Sequence, residues 1–267
     1  MTLKRAYKSL IITTVLMMST IILYALNVSK LNLEWGMVGF SIAAILSIFS
    51  VVVNIHAISH KKEVMKPGYL STRRYEILDW FTFLTVSLMA IFMIFMFFIL
   101  PSDVSQNSMN PTLLNGDRIL IYHFQYEPKK NDIVVIHITK EDYPLVPDDS
   151  FEEDGVIHDE VFFVKRIMAV SGDLVEFVNY DDAHETYMVQ INGVIAISPQ
   201  SKVYYVTEEE KEIIEQTLNA SILINEYYLT FGDNTTGSLD SRRFGSVQAK
   251  DIIGKVVFRL WPLGTVK

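Results

Sequence analysis

The chain has 267 residues, half of them hydrophobic, with 31 acidic and 23 basic side chains and no cysteine. The absence of cysteine excludes disulfides, thiol catalysis and cysteine-ligated metal centres, and the net charge of −8 argues against a nucleic-acid partner. The composition is uneven along the chain. Long apolar runs dominate up to about residue 100, and the remainder has the composition of an acidic soluble domain. We therefore expect a membrane anchor over residues 1–100 and a folded domain over 101–267.

Three apolar stretches in the first part are long enough to cross a membrane as helices, at about 10–28, 35–58 and 80–100. Roughly 20 apolar residues are needed to span a hydrocarbon core about 30 Å thick. The first stretch follows basic residues, as a cleaved secretion signal does. Its apolar core is too long for such a signal, and it has no clean cleavage site between small residues. An uncleaved anchor is therefore the favoured interpretation.

The distribution of basic residues predicts the orientation of these spans. Basic residues precede the first span and follow the second, whereas the loop between them has only Lys30, opposed by Glu34. Cytoplasmic loops are enriched in lysine and arginine, so the C-terminal domain is expected on the outer side of the plasma membrane. A basic loop could instead bind lipid headgroups, but topology is the simpler explanation. The basic residues are Lys4, Arg5, Lys8, Lys61, Lys62, Lys66, Arg73 and Arg74.

Beyond Gly116, short runs rich in Val, Ile, Phe and Tyr alternate with turn residues, which is typical of β-strands. No crossover helices separate these runs, so we predict an all-β domain with mostly antiparallel strands. The predicted strands are Arg118–Phe124, Asp132–Ile138, Val161–Val170, Leu174–Val178, Tyr187–Ile191, Tyr227–Phe231 and Ile252–Leu260.

Two segments look like insertions between the strands, at about 140–160 and 198–226. The first is strongly acidic but lacks the spacing and the glycine of a calcium loop, so we expect a solvated loop. Within the second, Thr207–Leu218 predicts a surface helix. Thr207 can cap this helix, and Glu210 can close a capping box.

Three segments carry candidate chemistry. Ser108 lies in the stretch Ser-Met-Asn-Pro-Thr, which read alone is a linker turn after the last apolar run. Lys165 shares one face of its predicted strand with Phe163 and Ile167. Loss of solvation there would lower the lysine pKa and produce a neutral base, but a lysine that extends its charged end to water fits equally well. The third segment, Gly232–Gly245, read alone is a polar hairpin loop.

A serine–lysine pair supported by a second hydroxyl is a known solution for acyl transfer without histidine. Four blocks of the sequence follow the predicted membrane anchor in a fixed order, and together they resemble type I signal peptidases. These are membrane-anchored Ser-Lys proteases that release secretory signal peptides. The blocks are Ser105–Leu120, Asn131–Val135, Val164–Gly172 with Asp173, and Gly232-Asp233-Asn234 followed by Ser238-x-Asp240-Ser241-Arg242.

The resemblance implies a role for each matching residue. Ser108 falls on the nucleophile of the family and Lys165 on its general base. Ser238 falls on the hydroxyl that orients the lysine, and Asp240 with Arg242 on a structural ion pair. The resemblance also implies an open antiparallel β fold and an apolar surface that rests on membrane lipid. The implied substrates are secretory preproteins with small residues at the first and third positions before the cut.

The sequence departs from the family pattern at three places. Gln106 stands two residues before the nucleophile, where some members have a serine that helps to form the oxyanion hole. The Ser108 backbone N–H can still serve there, and the Gln106 amide is a candidate second donor. The stretch Thr235-Thr236-Gly237 lacks the usual arginine and aspartate. Three spans also exceed the one or two that most members carry.

Other functions fit the sequence less well. Self-cleaving repressors of the DNA-damage response use a similar Ser-Lys fold but are soluble. Ser59-His60-Lys61-Lys62 matches the Ser-x-x-Lys pattern of penicillin-interacting enzymes, yet it lies in the predicted cytoplasmic loop without the companion motifs. A non-catalytic, membrane-anchored β domain that binds exported proteins would need neither Ser108 nor Lys165. The histidines lack metal-ligand spacing, so we expect no metal and no cofactor.

Overall fold

The computed structural model describes residues 3–26, 28, 34–59, 69–153 and 155–266. The chain divides into two compact units, Met1–Ile99 and Leu100–Lys267. The predicted cytoplasmic residues Lys61, Lys62 and Lys66, and Lys30 between the first two spans, lie outside the described residues.

The described residues of the first unit form three helices, α1 (Leu3–Ala25), α2 (Glu34–Ser59) and α3 (Tyr69–Phe97). Each contains a segment long and apolar enough to cross a membrane. Helix α3 begins about ten residues before the predicted span 80–100, because hydropathy marks the part of a helix that suits the bilayer and not the whole helix. It ends at Phe97, since Ile99 already belongs to a strand.

Hydroxyl groups join the three helices inside the apolar unit. Thr13 Oγ1 and Ser47 Oγ lie 2.8 Å apart and connect α1 to α2. A second hydroxyl pair, Ser50 and Thr82, connects α2 to α3. In a medium without water, such interhelical bonds satisfy polar groups and hold helices in register. The three helices therefore form one packed bundle.

In the second unit, the residues that the structure describes form fifteen strands, counting the one that begins at the boundary, and two short α-helices. The strands are β1 (Ile99–Asp103), β2 (Arg118–Tyr122), β3 (Ile133–Thr139), β4 (Glu152–Glu153), β5 (Val156–Ile157), β6 (Glu160–Ala169), β7 (Val175–Asp181), β8 (Thr186–Ile191), β9 (Val194–Ile195), β10 (Tyr205–Thr207), β11 (Leu218–Asn219), β12 (Ile222–Leu223), β13 (Tyr227–Phe231), β14 (Val247–Gln248) and β15 (Ile252–Trp261). The helices are α4 (Glu208–Glu215) and α5 (Ser241–Phe244).

Seven strands form the main sheet, in the order β1-β2-β15-β3-β6-β13-β14. The smaller sheet has the order β10-β8-β7, with β9 paired to β8, and β4–β5 and β11–β12 are separate hairpins. All seven predicted strands are present, and the prediction of a mostly antiparallel, open β fold after N-terminal apolar helices is confirmed. Each sheet covers its own apolar core.

The pairing of β3 with β6 fixes the position of Lys165. The two strands are antiparallel and in unbroken register from Ile133 opposite Arg166 to Thr139 opposite Glu160. Val134 lies opposite Lys165 in this ladder. The lysine is therefore held in the middle of the main sheet and not at its end.

The acidic segment 140–160 differs from the solvated loop that we expected. Tyr143, Val146 and Phe151 are buried in the core of the main sheet. The segment also contains a turn of 3-10 helix, Asp148–Phe151, and the β4–β5 hairpin. The apolar residues between the carboxylates pack against the sheet, while most of the carboxylates stay exposed. The high net charge of the segment gave no indication of these buried residues.

The predicted helix in the second insertion is present as α4, and its capping box is confirmed. Glu210 N donates to Thr207 Oγ1 at 3.2 Å, and Thr207 N donates to Glu210 Oε2 at 3.1 Å. The helix is not entirely on the surface, because Ile214 is buried with Tyr204 and Leu223 in the core of the smaller sheet.

Candidate active site

Ser108 lies in a turn that is fixed on both sides. The neighbouring side chains Met109 and Leu113 are buried, and Leu113 N donates to Met109 O at 3.1 Å. From the other side, Asn234 N donates to Ser108 O at 3.0 Å, and Asn234 Nδ2 donates to Asn107 O at 3.2 Å. The Ser108 backbone is therefore held by the buried turn and by the loop that follows β13.

Lys165 extends from the middle of β6 toward this turn. Its Nζ donates to Ser108 Oγ at 2.8 Å and lies 5.0 Å from the centre of the Phe163 ring. The predicted apolar face of the strand is confirmed, because Phe163 and Ile167 belong to one buried cluster. Lys165 is 2% exposed, so the alternative of a lysine that reaches water is wrong.

Burial lowers the pKa of Lys165 to about 8. The Asp240 carboxylate opposes this effect, and the Arg242 guanidinium adds to it. At pH 7 roughly one amine in ten would be neutral at this pKa, compared with about one in 2,500 for a free lysine. The site thus provides a lone pair that can accept a proton near neutral pH.

Asp240 and Arg242 form the predicted ion pair under the loop after β13. Arg242 Nε and Nη2 each donate to the Asp240 carboxylate at 2.9 Å, and Arg242 Nη1 donates to Thr235 O at 2.8 Å. Burial opposes ionisation of Asp240, but the Arg242 charge keeps the pKa of the carboxyl below its usual value. Asp240 also caps α5 and accepts from Gly232 N at 2.9 Å. These contacts hold the loop after β13, including the helical turn α5, in one conformation.

Ser238 is buried beside the turn that carries Ser108, and among the described residues no hydrogen bond joins it to Lys165. Among the described residues, its Oγ has no hydrogen-bond partner. A Cβ atom added to Gly232 would come within 2.5 Å of Ser108 O and closer still to Ser238 Oγ. Only glycine fits at this position, and its missing side chain lets the Ser238 hydroxyl lie close to the turn that carries Ser108.

A second buried ion pair was not assigned from the sequence. Arg166 Nε and Nη2 donate to the two carboxylate oxygens of Asp233 at 2.8 Å each, and Arg166 Nη1 donates to Asn131 O at 3.0 Å. Thr112 Oγ1 donates to the same carboxylate. Since a buried guanidinium needs a carboxylate partner, the Arg166 next to Lys165 could have been matched to Asp233. The pair ties β6 to the turn that carries Ser108.

Ser108 and Lys165 open into a cleft of about 560 Å³. Residues of β1 and β6 line it. In the described part of the chain β6 pairs with β13 only from Arg166 onward, so the edge of residues 160–165 that faces away from β3 has no strand partner there. Gln106 is exposed, lines the cleft and has a φ of 90°. The apolar lining residues are Val104, Met109, Val135, Phe151, Val161, Phe162, Phe163 and Val164.

A serine hydroxyl bonded to a buried lysine of lowered pKa, in a cleft beside an open strand edge, is the arrangement of a serine hydrolase that needs no histidine. Residues 77–261 match the family described as signal peptidase, peptidase S26. The chain belongs to this family, and it is therefore a membrane-anchored serine endopeptidase that removes signal peptides from preproteins.

Three known proteins are similar to parts of this chain. Signal peptidase IB of Staphylococcus aureus (strain COL) is 29% identical over 198 residues, which cover 72% of this chain and 93% of the relative. Thylakoidal processing peptidase 1 of Arabidopsis thaliana is 27% identical over 61% of this chain and 42% of its own length. A solved signal peptidase I of Enterococcus faecalis V583 matches with 20% identity and a TM-score of 0.27, covering 49% of this chain and 98% of that one.

The family match begins inside α3 and ends at the last residue of β15. It includes every predicted site residue. Helices α1 and α2 precede the matched range.

Proposed function

We propose that Ser108 is the nucleophile and Lys165 the general base with which this enzyme cleaves secretory preproteins. The observation that carries the proposal is the 2.8 Å contact between Nζ of the buried Lys165 and Oγ of the partly exposed Ser108. The lowered pKa of Lys165 supplies the neutral amine that the base needs.

The first half of the reaction forms an ester on Ser108. With the amine neutral, the Ser108 hydroxyl donates to Lys165 Nζ, and its oxygen attacks the carbonyl carbon of the cleaved bond while the proton passes to Nζ. The resulting oxyanion accepts from the Ser108 backbone N–H. The C–N bond then breaks, and the Lys165 ammonium returns its proton to the leaving amine of the mature protein.

The second half releases the signal peptide. Lys165 takes a proton from a water molecule, the hydroxide oxygen attacks the ester carbonyl, and the proton returns to Ser108 Oγ as the ester bond breaks. We assign to Ser238 the orientation of the lysine amine. Its hydroxyl would form a hydrogen bond to Lys165 Nζ when a bound substrate changes the contact between Lys165 Nζ and Ser108 Oγ. The Asp240–Arg242 pair supports the loop that carries Ser238.

Gln106 has a more limited role in this proposal. Its backbone places it at the mouth of the cleft, where its amide is exposed and poorly pre-organised for an oxyanion. Donors contribute most to catalysis when they are fixed before the reaction begins. We therefore assign the main oxyanion contact to the Ser108 N–H, with Gln106 as an adjustable second donor.

The substrate is proposed to bind as an extended strand along the unpaired edge of β6. Backbone hydrogen bonds to such an edge give affinity, and pockets for alternate side chains give specificity. The resemblance to signal peptidases implies small side chains at the first and third positions before the cut. Those positions point the same way from an extended chain.

Contact with membrane lipid is proposed at the end of β15. Trp261 and Leu263 are 68% and 74% exposed, although large apolar side chains are usually buried. A tryptophan with an apolar neighbour is typical of groups that sit at a membrane interface. This contact would keep the cleft close to signal peptides that leave the bilayer. With a net charge of −8, no nucleic acid is expected to bind.

The proposed function can be tested with a preprotein that has alanine at the first and third positions before the cut. The purified full-length protein in lipid vesicles is expected to cut it once, immediately after the first of these positions. Leucine at that position should lower kcat/KM by about 10–200-fold, because a small apolar pocket rejects the larger side chain. Mass spectrometry of the mature product locates the cut, and cleavage at scattered bonds would contradict the proposal.

We further propose that the chain is a multi-pass protein of the plasma membrane, with residues 101–267 outside. Because the chain has no cysteine, single-cysteine variants report accessibility directly. Val194→Cys, at an exposed position of β9, should react with a membrane-impermeant maleimide on intact cells. Lys66→Cys, in the predicted cytoplasmic loop, should react only after lysis. The reverse pattern would overturn the three-span orientation.

A further inference from the structure

The insertion 140–160 contributes a wall to the cleft that contains the catalytic pair. Ser150, Phe151, Glu152 and His158 line the same cleft as Ser108 and Lys165. The sequence had indicated a solvated loop for this segment. Its contact with the cleft therefore gives it a position from which it can act on the bound preprotein.

This wall is firmly attached to the main sheet. Phe151 is 2% exposed and packs in the same cluster as Phe163 of β6. Tyr143 OH donates to Asp251 Oδ2 at 2.6 Å, and His158 N donates to Phe151 O at 2.9 Å. A side chain held in this way cannot move aside freely when a substrate enters.

The spacing along β6 indicates which substrate residue meets Phe151. Side chains of Lys165, Phe163 and Val161 alternate onto one face of the strand, about 7 Å apart. Phe151 and Phe163 belong to one buried cluster, Val161 packs against that cluster, and all three residues line the cleft. Phe163 lies two residues along β6 from Lys165. A preprotein strand beside β6 has the same spacing. If its first residue before the cut lies at Lys165, its third residue lies at Phe163 and Phe151.

We propose that Phe151 determines specificity by limiting the size of the side chain at the third position before the cut. The rigid ring closes the apolar floor of the cleft there, so alanine fits and leucine does not. This inference rests on the proposed function of the Ser108–Lys165 pair. It adds that a residue of the insertion, outside the four sequence blocks, sets part of the substrate preference.

The test compares full-length wild type and variants on preproteins that differ only at the third position, alanine against leucine. In Phe151→Ala the ratio of kcat/KM for leucine to that for alanine should rise at least about tenfold, because removal of the ring makes room for the larger side chain. Phe151→Leu, which preserves most of the packing, should show a smaller rise in the same direction. It keeps the test decisive if Phe151→Ala does not fold.

Val146→Ala is the matched control, because Val146 is buried in the same insertion and the same cluster but does not line the cleft. It should leave the leucine-to-alanine ratio unchanged even where its thermal stability falls. An unchanged ratio in both Phe151 variants, or an equal change in Val146→Ala, would overturn the inference. Failure of wild type to cut the alanine preprotein would instead overturn the proposed function and the inference with it.

Discussion

Ser108→Ala is expected to lower kcat/KM for preprotein cleavage by at least about 10⁴-fold, because no other group can form the ester when the nucleophile is removed. The substitution deletes one oxygen atom that bonds to Lys165 and leaves the buried turn around Met109 and Leu113 intact. The melting temperature should therefore change by only a few degrees. The measurement is cleavage of purified preprotein together with thermal unfolding of the variant.

Ser105→Ala is the control for this substitution. Ser105 is exposed and also lines the cleft, three residues before Ser108, the proposed nucleophile. It should retain nearly full activity, which would separate the loss of the nucleophile from a general effect on the cleft. Turnover by Ser108→Ala within tenfold of wild type would show that the nucleophile is elsewhere. The cleft at Ser108 could then serve to bind exported proteins without cutting them.

Lys165→Arg is expected to lose at least about 10³-fold in kcat/KM although it keeps a positive charge. A guanidinium stays protonated at any working pH and cannot accept the Ser108 proton. Lys165→Met should be equally inactive, and its apolar side chain suits the buried position next to Phe163 better. Loss of activity in both variants would therefore point to the missing base and not to misfolding.

Lys255→Arg is the matched control for this pair of variants. Lys255 lies on β15 of the same sheet, separated from β6 by β3, and its Nζ donates to Asp132 Oδ1 at 2.6 Å. Arginine preserves such an ion pair, so activity should be retained. Substantial turnover by Lys165→Arg would mean that Lys165 is structural and that another group is the base.

The strands of the catalytic unit could be predicted because their signals are local. Each long strand has its own run of β-branched and aromatic residues, and the alternation in β6 was enough to place Lys165 on the same face as Phe163. The α4 capping box was equally clear, since its two bonds join residues three apart. Such features need no knowledge of how the chain returns on itself.

The features that could not be predicted depend on distant residues. The position of β15 between β2 and β3 results from pairings across more than 100 residues, and two-residue strands such as β9 carry no pattern of their own. Phe151 lies in an acidic segment whose composition predicted a solvent-exposed loop, although its side chain is buried. The ion pair between Arg166 and Asp233 joins two sequence blocks that are far apart in the chain, so neither block alone indicates it.

The most direct test of the account is the rate at which Ser108 becomes acylated as a function of pH. A peptide with alanine at its first and third positions and an activated ester at the cleaved position would be mixed with the full-length enzyme. Mass spectrometry would follow the adduct on the fragment that contains Ser108. Because only the neutral amine can accept the proton, lowering the pH protonates Lys165 and must slow the reaction.

The adduct is therefore predicted on Ser108, with a rate that rises about tenfold per pH unit from pH 5 and levels off near the Lys165 pKa of about 8. An adduct on another residue, a rate that does not depend on pH, or a rate that still rises through pH 10 as an ordinary lysine would require, would contradict the account.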